Sequence, residues 1–120
     1  MAEYEIKDGV AIIPEGTTEI SGWDFTGCSN LYEVVIPATV INISSFAFDD
    51  CTALEKIVVE EGNPKYDSRE GCNAIIETAT NKLICGCKST VIPASVKSRG
   101  YFPKGVFRIN IKGSFLKTVK

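Results

Sequence analysis

The sequence predicts a β-rich α/β solenoid, a coil of short strands and tight turns wound around one narrow core. The first observation is a fixed spacing. Pro14, Ile20, Phe25, Cys28, Leu31 and Val34 recur as Pro37, Ile43, Phe48, Cys51, Leu54 and Ile57, each displaced by 23 residues. A period of this size marks units that cannot bury their apolar face alone and so stack on their neighbours. The second observation is alternation within the repeat. Val10-Ala11-Ile12-Ile13, Glu33-Val34-Val35-Ile36 and Lys56-Ile57-Val58-Val59 align as strands whose side chains point alternately to two faces. A third is size: 120 residues fit one domain, 1–120, of roughly four or five such units, just above the minimum of about three that repeat proteins need.

Taken in order, residues 1–13 read as an N-terminal hairpin cap. Tyr4-Glu5-Ile6-Lys7 and Val10-Ala11-Ile12-Ile13 flank Asp8-Gly9, a dipeptide suited to a two-residue turn because both of its positions need positive φ. Residues 14–59 hold the regular 23-residue coils. Ala11, Val34 and Ile57, with Ile13, Ile36 and Val59, form the inward columns, joined by Leu31 and Leu54. The outward columns are Val10, Glu33, Lys56 and Ile12, Val35, Val58. The second of these is apolar throughout, where an outward column of a half-exposed sheet ordinarily turns polar. Such a stripe marks a contact surface, or reflects the local preference of strands for β-branched residues.

Pro14 and Pro37 end their strands because proline lacks the ladder donor. Ser21-Gly22 and Ser44-Ser45 open compact turns, which are expected to be short and helical, and Phe25 and Phe48 enter the core from them. Residues 60–91 depart from the pattern and read as a hairpin insert. Cys72-Asn73-Ala74-Ile75-Ile76-Glu77 and Lys82-Leu83-Ile84-Cys85-Gly86-Cys87 pair across Thr78–Asn81. With Glu77 opposite Lys82, Ile76 faces Leu83, Ala74 faces Cys85 and Cys72 faces Cys87. One face then becomes Cys72, Ala74, Ile76, Leu83, Cys85 and Cys87, expected to pack on the coils. Val91 to Val96 resumes the coil by matching Val35 to Val40. Residues 92–120 form a degenerate basic C-terminal coil or cap, in which Phe107, Ile109 and Ile111 alternate as a strand would.

The residues Leu31 to Leu54 spell Leu-x-x-Val-x-Ile-Pro-x-x-Val-x-x-Ile-x-x-x-Ala-Phe-x-x-Cys-x-x-Leu. This pattern resembles the BspA-like leucine-rich repeat of bacterial surface proteins, most closely from Leu31 to Val59, and the stretch from Asn63 to Val96 is similar to that family's hairpin insert. The resemblance implies a right-handed leucine-rich-repeat solenoid with a curved sheet. It also implies a non-catalytic protein–protein or surface-interaction module connected with adhesion, at the cell surface or outside the cell. The expected partner is a host matrix protein, another bacterial surface protein or a second copy of the chain, with no nucleic acid and no membrane span. A structural spacer within a larger surface array, without a ligand of its own, is the alternative. Met1 to Glu5 lack the basic and apolar regions of a signal peptide.

Composition removes several chemistries. The chain has no histidine, so Cys/His and Ser/His nucleophile pairs and imidazole metal sites are excluded together. No catalytic residue, cofactor site or metal site is expected. Glu60, Glu61, Asp67 and Glu70 could supply the carboxylates of a glycan hydrolase, although a solvated loop explains them more simply. Asn63-Pro64-Lys65-Tyr66 reads as a turn with Tyr66 anchoring the loop. Five cysteines are expected to be free thiols, with Cys72–Cys87 the candidate disulfide, since the hairpin register sets them opposite each other, and Cys28 and Cys51 sit one coil apart in one column. The charge is lopsided: residues 1–96 carry 15 acids and six bases, a balance of −9, and residues 97–120 carry seven bases and no acid, +7. The tail either complements the acidic body or meets an anionic partner. The candidate contact face is Ile12, Val35 and Val58, with Glu33 and Lys56 adding polar specificity.

Overall fold

A computed structural model describes residues 4–22, 24–101 and 110–111, with backbone alone for 99–101 and 110–111. The strands are β1 (Glu5–Lys7), β2 (Val10–Ile12), β3 (Glu19–Ile20), β4 (Glu33–Ile36), β5 (Asn42–Ile43), β6 (Lys56–Val59), β7 (Tyr66–Asp67), β8 (Ala74–Glu77), β9 (Lys82–Gly86), β10 (Val91–Ile92), β11 (Ser98–Tyr101) and β12 (Asn110–Ile111). They form two four-stranded sheets, ordered β1-β2-β4-β6 and β11-β9-β8-β7, and two small parallel pairs, β3-β5 and β10-β12.

The 23-residue spacing is the register of the first sheet. Val10 pairs with Glu33 and Glu33 with Lys56, Ala11 with Val34 and Val34 with Ile57, all in parallel. The same offset sets Ile20 beside Ile43 in β3-β5. Inward side chains thereby land on inward side chains: Leu31, Val34, Ile36, Leu54 and Ile57 are fully buried. Each buried aliphatic of this size contributes roughly 1.5–3 kcal/mol. Behind them Phe25 and Phe48 stack with ring centroids 5.3 Å apart, and Tyr4 continues the stack on Phe25 at 5.0 Å.

The N-terminal hairpin forms as its turn demands, with Lys7 paired to Val10 and Asp8 and Gly9 at φ 53° and 83°. Gly9 is needed for a second reason, because a Cβ there would come within 3.0 Å of the Tyr32 Cβ. That close approach lets the Gly9 carbonyl accept both the Tyr32 and Glu33 N–H groups, at 2.7 and 2.9 Å. One repeat on, the Tyr32 carbonyl accepts from Glu55 and Lys56 in the same way. Tyr4 and Ile6 pack against the core from this end.

Three local expectations change. The compact turns are not helical: the fold is strand-rich, and among the described residues one 3-10 turn, Arg69–Gly71, is the whole helical content, itself broken by Glu70 at φ 59°. Elsewhere isolated i to i+3 bonds, such as Ala47 N–H to Ser44 O and Cys51 N–H to Phe48 O, turn the chain without propagating.

Beyond Val59 the spacing persists longer than its residue types suggest. Glu60, Asn63 and Tyr66 stand 23 residues after Pro37, Val40 and Ile43. Glu60 N–H donates to Ile36 O, the Asn63 side-chain amide donates to Pro37 O and Val40 O, and the Tyr66 hydroxyl accepts from Ile43 N–H at 3.1 Å. Side chains replace the backbone rungs of the earlier coils. Asn63 Oδ1 also accepts from Lys65 and Tyr66 N–H, which makes the Asn-Pro turn and sets Tyr66 in the core.

The hairpin β8-β9 begins in the expected register, Glu77 opposite Lys82 and Ile76 opposite Leu83, and then slips. Ile75 faces Cys85 and Ala74 faces Gly86, leaving Ile84 as a β-bulge. A bulge adds one residue to one strand, so Leu83 and Cys85 end on opposite faces. Both faces of the hairpin are buried. Ile75, Cys85 and Cys87 join the main core, while Cys72, Ala74, Ile76 and Leu83 form a second cluster with Ile92. The Cys72–Cys87 pairing expected from an unbulged register is therefore lost, since the two side chains lie in different clusters. Of residues 91–120, the parallel pairings of β10 with β12 and of β11 with β9 are described. Phe107, Ile109 and the stretch from 112 to 120 lie outside the described residues.

Leu54→Ala should cost about 2–5 kcal/mol of unfolding free energy, read from denaturant titration, because the inward column has no slack to collapse into the void. A change below about 0.5 kcal/mol would refute in-register stacking as the source of stability.

Candidate functional site

The outward face of the first sheet is built by the same register that builds the core. Val35 lies beside Val58, and Glu33 beside both Val10 and Lys56. Ile12, one residue beyond Ala11, takes the place next to Val35. The five residues expected to form a contact face therefore share one surface. Their exposure is graded: Ile12 is 47% exposed, Lys56 is exposed, and Glu33, Val35 and Val58 are half-buried.

Two residues of that surface escape a reading confined to the repeats. The hairpin pairs Glu5 with Ile12 and Lys7 with Val10. The face thus carries two rows, Lys7-Val10-Glu33-Lys56 and Glu5-Ile12-Val35-Val58, with charges at the margins of an apolar centre. The two-residue turn at Asp8-Gly9 would have fixed this extension of the rows, because it dictates which β1 residues stand opposite β2. Tyr32, 47% exposed, borders the same area.

At its β6 end the face runs into a cleft of about 920 Å³. It is lined by Tyr32 and the whole of β6, and by Glu60 to Asn63, Tyr66 to Gly71 and Asn73. Two of the four carboxylates considered for glycan chemistry are committed to structure. Glu60 Oε1 accepts from Ala38 N–H at 3.2 Å, and Asp67 binds Arg69 through both oxygens at 2.8 Å while Oδ2 also accepts from the Thr78 hydroxyl at 2.6 Å. Arg69 reaches on to Asn81 Oδ1 at 2.7 Å and Ser95 Oγ at 3.1 Å, tying the loop to the hairpin and to the segment after β10. Partial burial would by itself raise the Asp67 carboxyl. The hydrogen bonds from Arg69 and Thr78, with the Arg69 charge, outweigh it and hold the group below its ordinary value near 3.8.

All five cysteines are free thiols. Burial pushes Cys51 and Cys72 up to about 11 and Cys85 up to about 12, so none of these is a thiolate near neutrality. Cys51 donates to Phe25 O at 2.8 Å, Cys72 to Ala74 O at 3.9 Å and Cys87 to Asn73 O at 3.5 Å. They behave as small apolar residues with a weak donor.

These features define a strand-rich repeat protein with an outward face and an adjoining cleft. Its repeats match the family model of the BspA type leucine rich repeat region (6 copies) over residues 9–82, and the chain belongs to that family. The family's repeats serve protein–protein interaction and surface roles in general and are typically non-catalytic. Comparisons with curated proteins and with solved structures give no match. Among the described residues no helix is long and apolar enough to cross a membrane.

The Asp67 carboxyl is depressed in the folded state, so its contribution to stability is complete above its ordinary value and is lost as pH falls through the folded value. The stability gap between wild type and Asp67→Asn, measured by chemical denaturation, should be present at about pH 7 and shrink below about pH 4. A gap independent of pH would show that the Asp67–Arg69 charge pair is not its source. For the thiols, a disulfide reagent should modify half-buried Cys28 first in the native protein and leave Cys85 intact, with all five reacting in denaturant without reductant. Three reactive thiols would instead mean that one disulfide forms.

Proposed function

We propose that the chain is a right-handed leucine-rich-repeat solenoid acting as a non-catalytic protein-binding module at the cell surface or outside the cell, in an adhesion-related role. The observation that carries this reading is the outward surface of β1-β2-β4-β6. Its Ile12, Val35 and Val58 stand in one apolar row, where an outward column of a half-exposed sheet ordinarily turns polar. An apolar centre with charges at its margins, here Glu5, Lys7, Glu33 and Lys56, is the anatomy of a protein interface, in which buried apolar contacts carry affinity and marginal charges carry selectivity. The family supports a protein ligand rather than a small substrate. A host matrix protein or a bacterial surface protein is the partner this reading favours.

The test is binding of the purified chain to immobilised matrix proteins and to bacterial surface proteins, comparing wild type with Ile12→Ser/Val35→Ser and with Lys56→Glu. The double variant should bind about tenfold or more weakly while its unfolding free energy stays within about 1 kcal/mol of wild type. Lys56→Glu should slow association and change its salt dependence. Equal binding by all three chains would remove this face from the interface. A wild type that binds none of the panel, with variants differing only in stability, would identify a structural spacer.

A further inference from the structure

Both parallel sheets of the repeat region stop at a row of side chains. β6 is the last strand of its sheet, and alternate residues of it point their backbone groups away from β4. The Ile57 N–H donates to Asn73 Oδ1 at 3.3 Å, and the Val59 N–H donates to Ser68 Oγ at 2.9 Å. At the end of β3-β5, Ile43 N–H is met by the Tyr66 hydroxyl. A parallel strand of another repeat would supply these acceptors from its backbone, and here three side chains, those of Tyr66, Ser68 and Asn73, supply them instead.

The side chains are held in place by the parts of the chain that break the repeat. Asn73 sits at φ 56°, a left-handed conformation that asparagine tolerates, and its carbonyl accepts from the Thr90 hydroxyl at 2.6 Å. Thr90 is fully buried and also accepts from Cys87 N–H at 2.8 Å, so the end of the hairpin fixes Asn73. Ser68 lies between Asp67 and Arg69, whose contacts reach Asn81 and Ser95. The stop is thus set only when the hairpin and the segment after β10 are both folded onto the repeats.

We infer that Ser68 and Asn73 are a built-in terminator of the β1-β2-β4-β6 sheet, occupying the β6 edge so that a second copy of this chain cannot pair with it. An open edge is a template for strand addition, and a four-residue edge such as β6, with half-buried Val58 in it, offers both the ladder and an apolar contact. The inference does not depend on which face binds a ligand, since it concerns the edge of the sheet.

The experiment compares wild type with Ser68→Ala/Asn73→Gly, in which glycine keeps the left-handed backbone while the acceptor is removed, and with Ser68→Thr/Asn73→Asp, which keeps both acceptors. Amide exchange is read at Ile57 and Val59, and mass by light scattering across concentration. The expected result is a wild type that stays at the mass of one chain. In the acceptor-free variant dilute samples exchange about tenfold or more faster at these two amides, and mass rises with concentration toward that of two chains. The acceptor-keeping variant should behave as wild type. An acceptor-free variant that exchanges fast yet stays at one chain's mass overturns the inference, as does unchanged exchange. Should the double variant fail to fold, Ser68→Ala and Asn73→Gly alone carry the same readout at Val59 and Ile57 respectively, with the same outcomes for and against.

Discussion

The structure depends on one constraint, that each strand of a repeat pairs in parallel with the strand 23 residues later and without slippage. A slip of one residue would turn Leu31-type and Val34-type columns outward and bring Glu33 and Lys56 into the core. The constraint is enforced from two sides. Buried columns on the strand, and stacked Phe25 and Phe48 behind it, are satisfied only in the same register. The bifurcated acceptance of two N–H groups by the carbonyls of Gly9 and Tyr32 repeats at that spacing and pins each strand at its start.

A stack with such a rule has an end problem, because the rule itself supplies no reason to stop. The two ends are solved by different physics. At the N-terminal end an antiparallel strand, β1, turns back through a tight turn and brings Tyr4 onto the aromatic stack. At the other end the coil keeps its phase while its rungs pass from backbone to the side chains of Asn63, Tyr66, Ser68 and Asn73. This substitution needs those side chains to be rigid, and rigidity comes from Thr90 and the Arg69 network.

Membership in the BspA type leucine rich repeat family accounts for the repeats, while the surface carries the individual character of the chain. The same period that aligns inward residues aligns outward ones, so a repeat fold converts a one-residue preference into a stripe. Ile12, Val35 and Val58 form such a stripe, and the hairpin adds Glu5 and Lys7 to its margin. The cleft beside β6 extends that surface, and its carboxylates Asp67 and Glu60 already serve the fold, through Arg69 and the Ala38 N–H.

The sequence by itself determined the period, the strands at 10–12, 33–36 and 56–59, the inward columns, the Asp8-Gly9 turn and the anchoring of Tyr66. All of these follow from spacing or from local backbone preference, which a linear reading measures directly. Family membership followed from the same residues. Three features were decided by tertiary structure alone. The bulge at Ile84 sets Leu83 and Cys85 against two different apolar clusters, and alternation along one strand cannot reveal a second covering layer. It is this bulge that separates Cys72 from Cys87. The continued phase through Glu60, Asn63 and Tyr66 was hidden because polar and aromatic side chains do there what proline and aliphatic residues do in earlier coils. The graded exposure of the outward row depends on what lies above each strand, and that is a property of packing between segments distant in the chain.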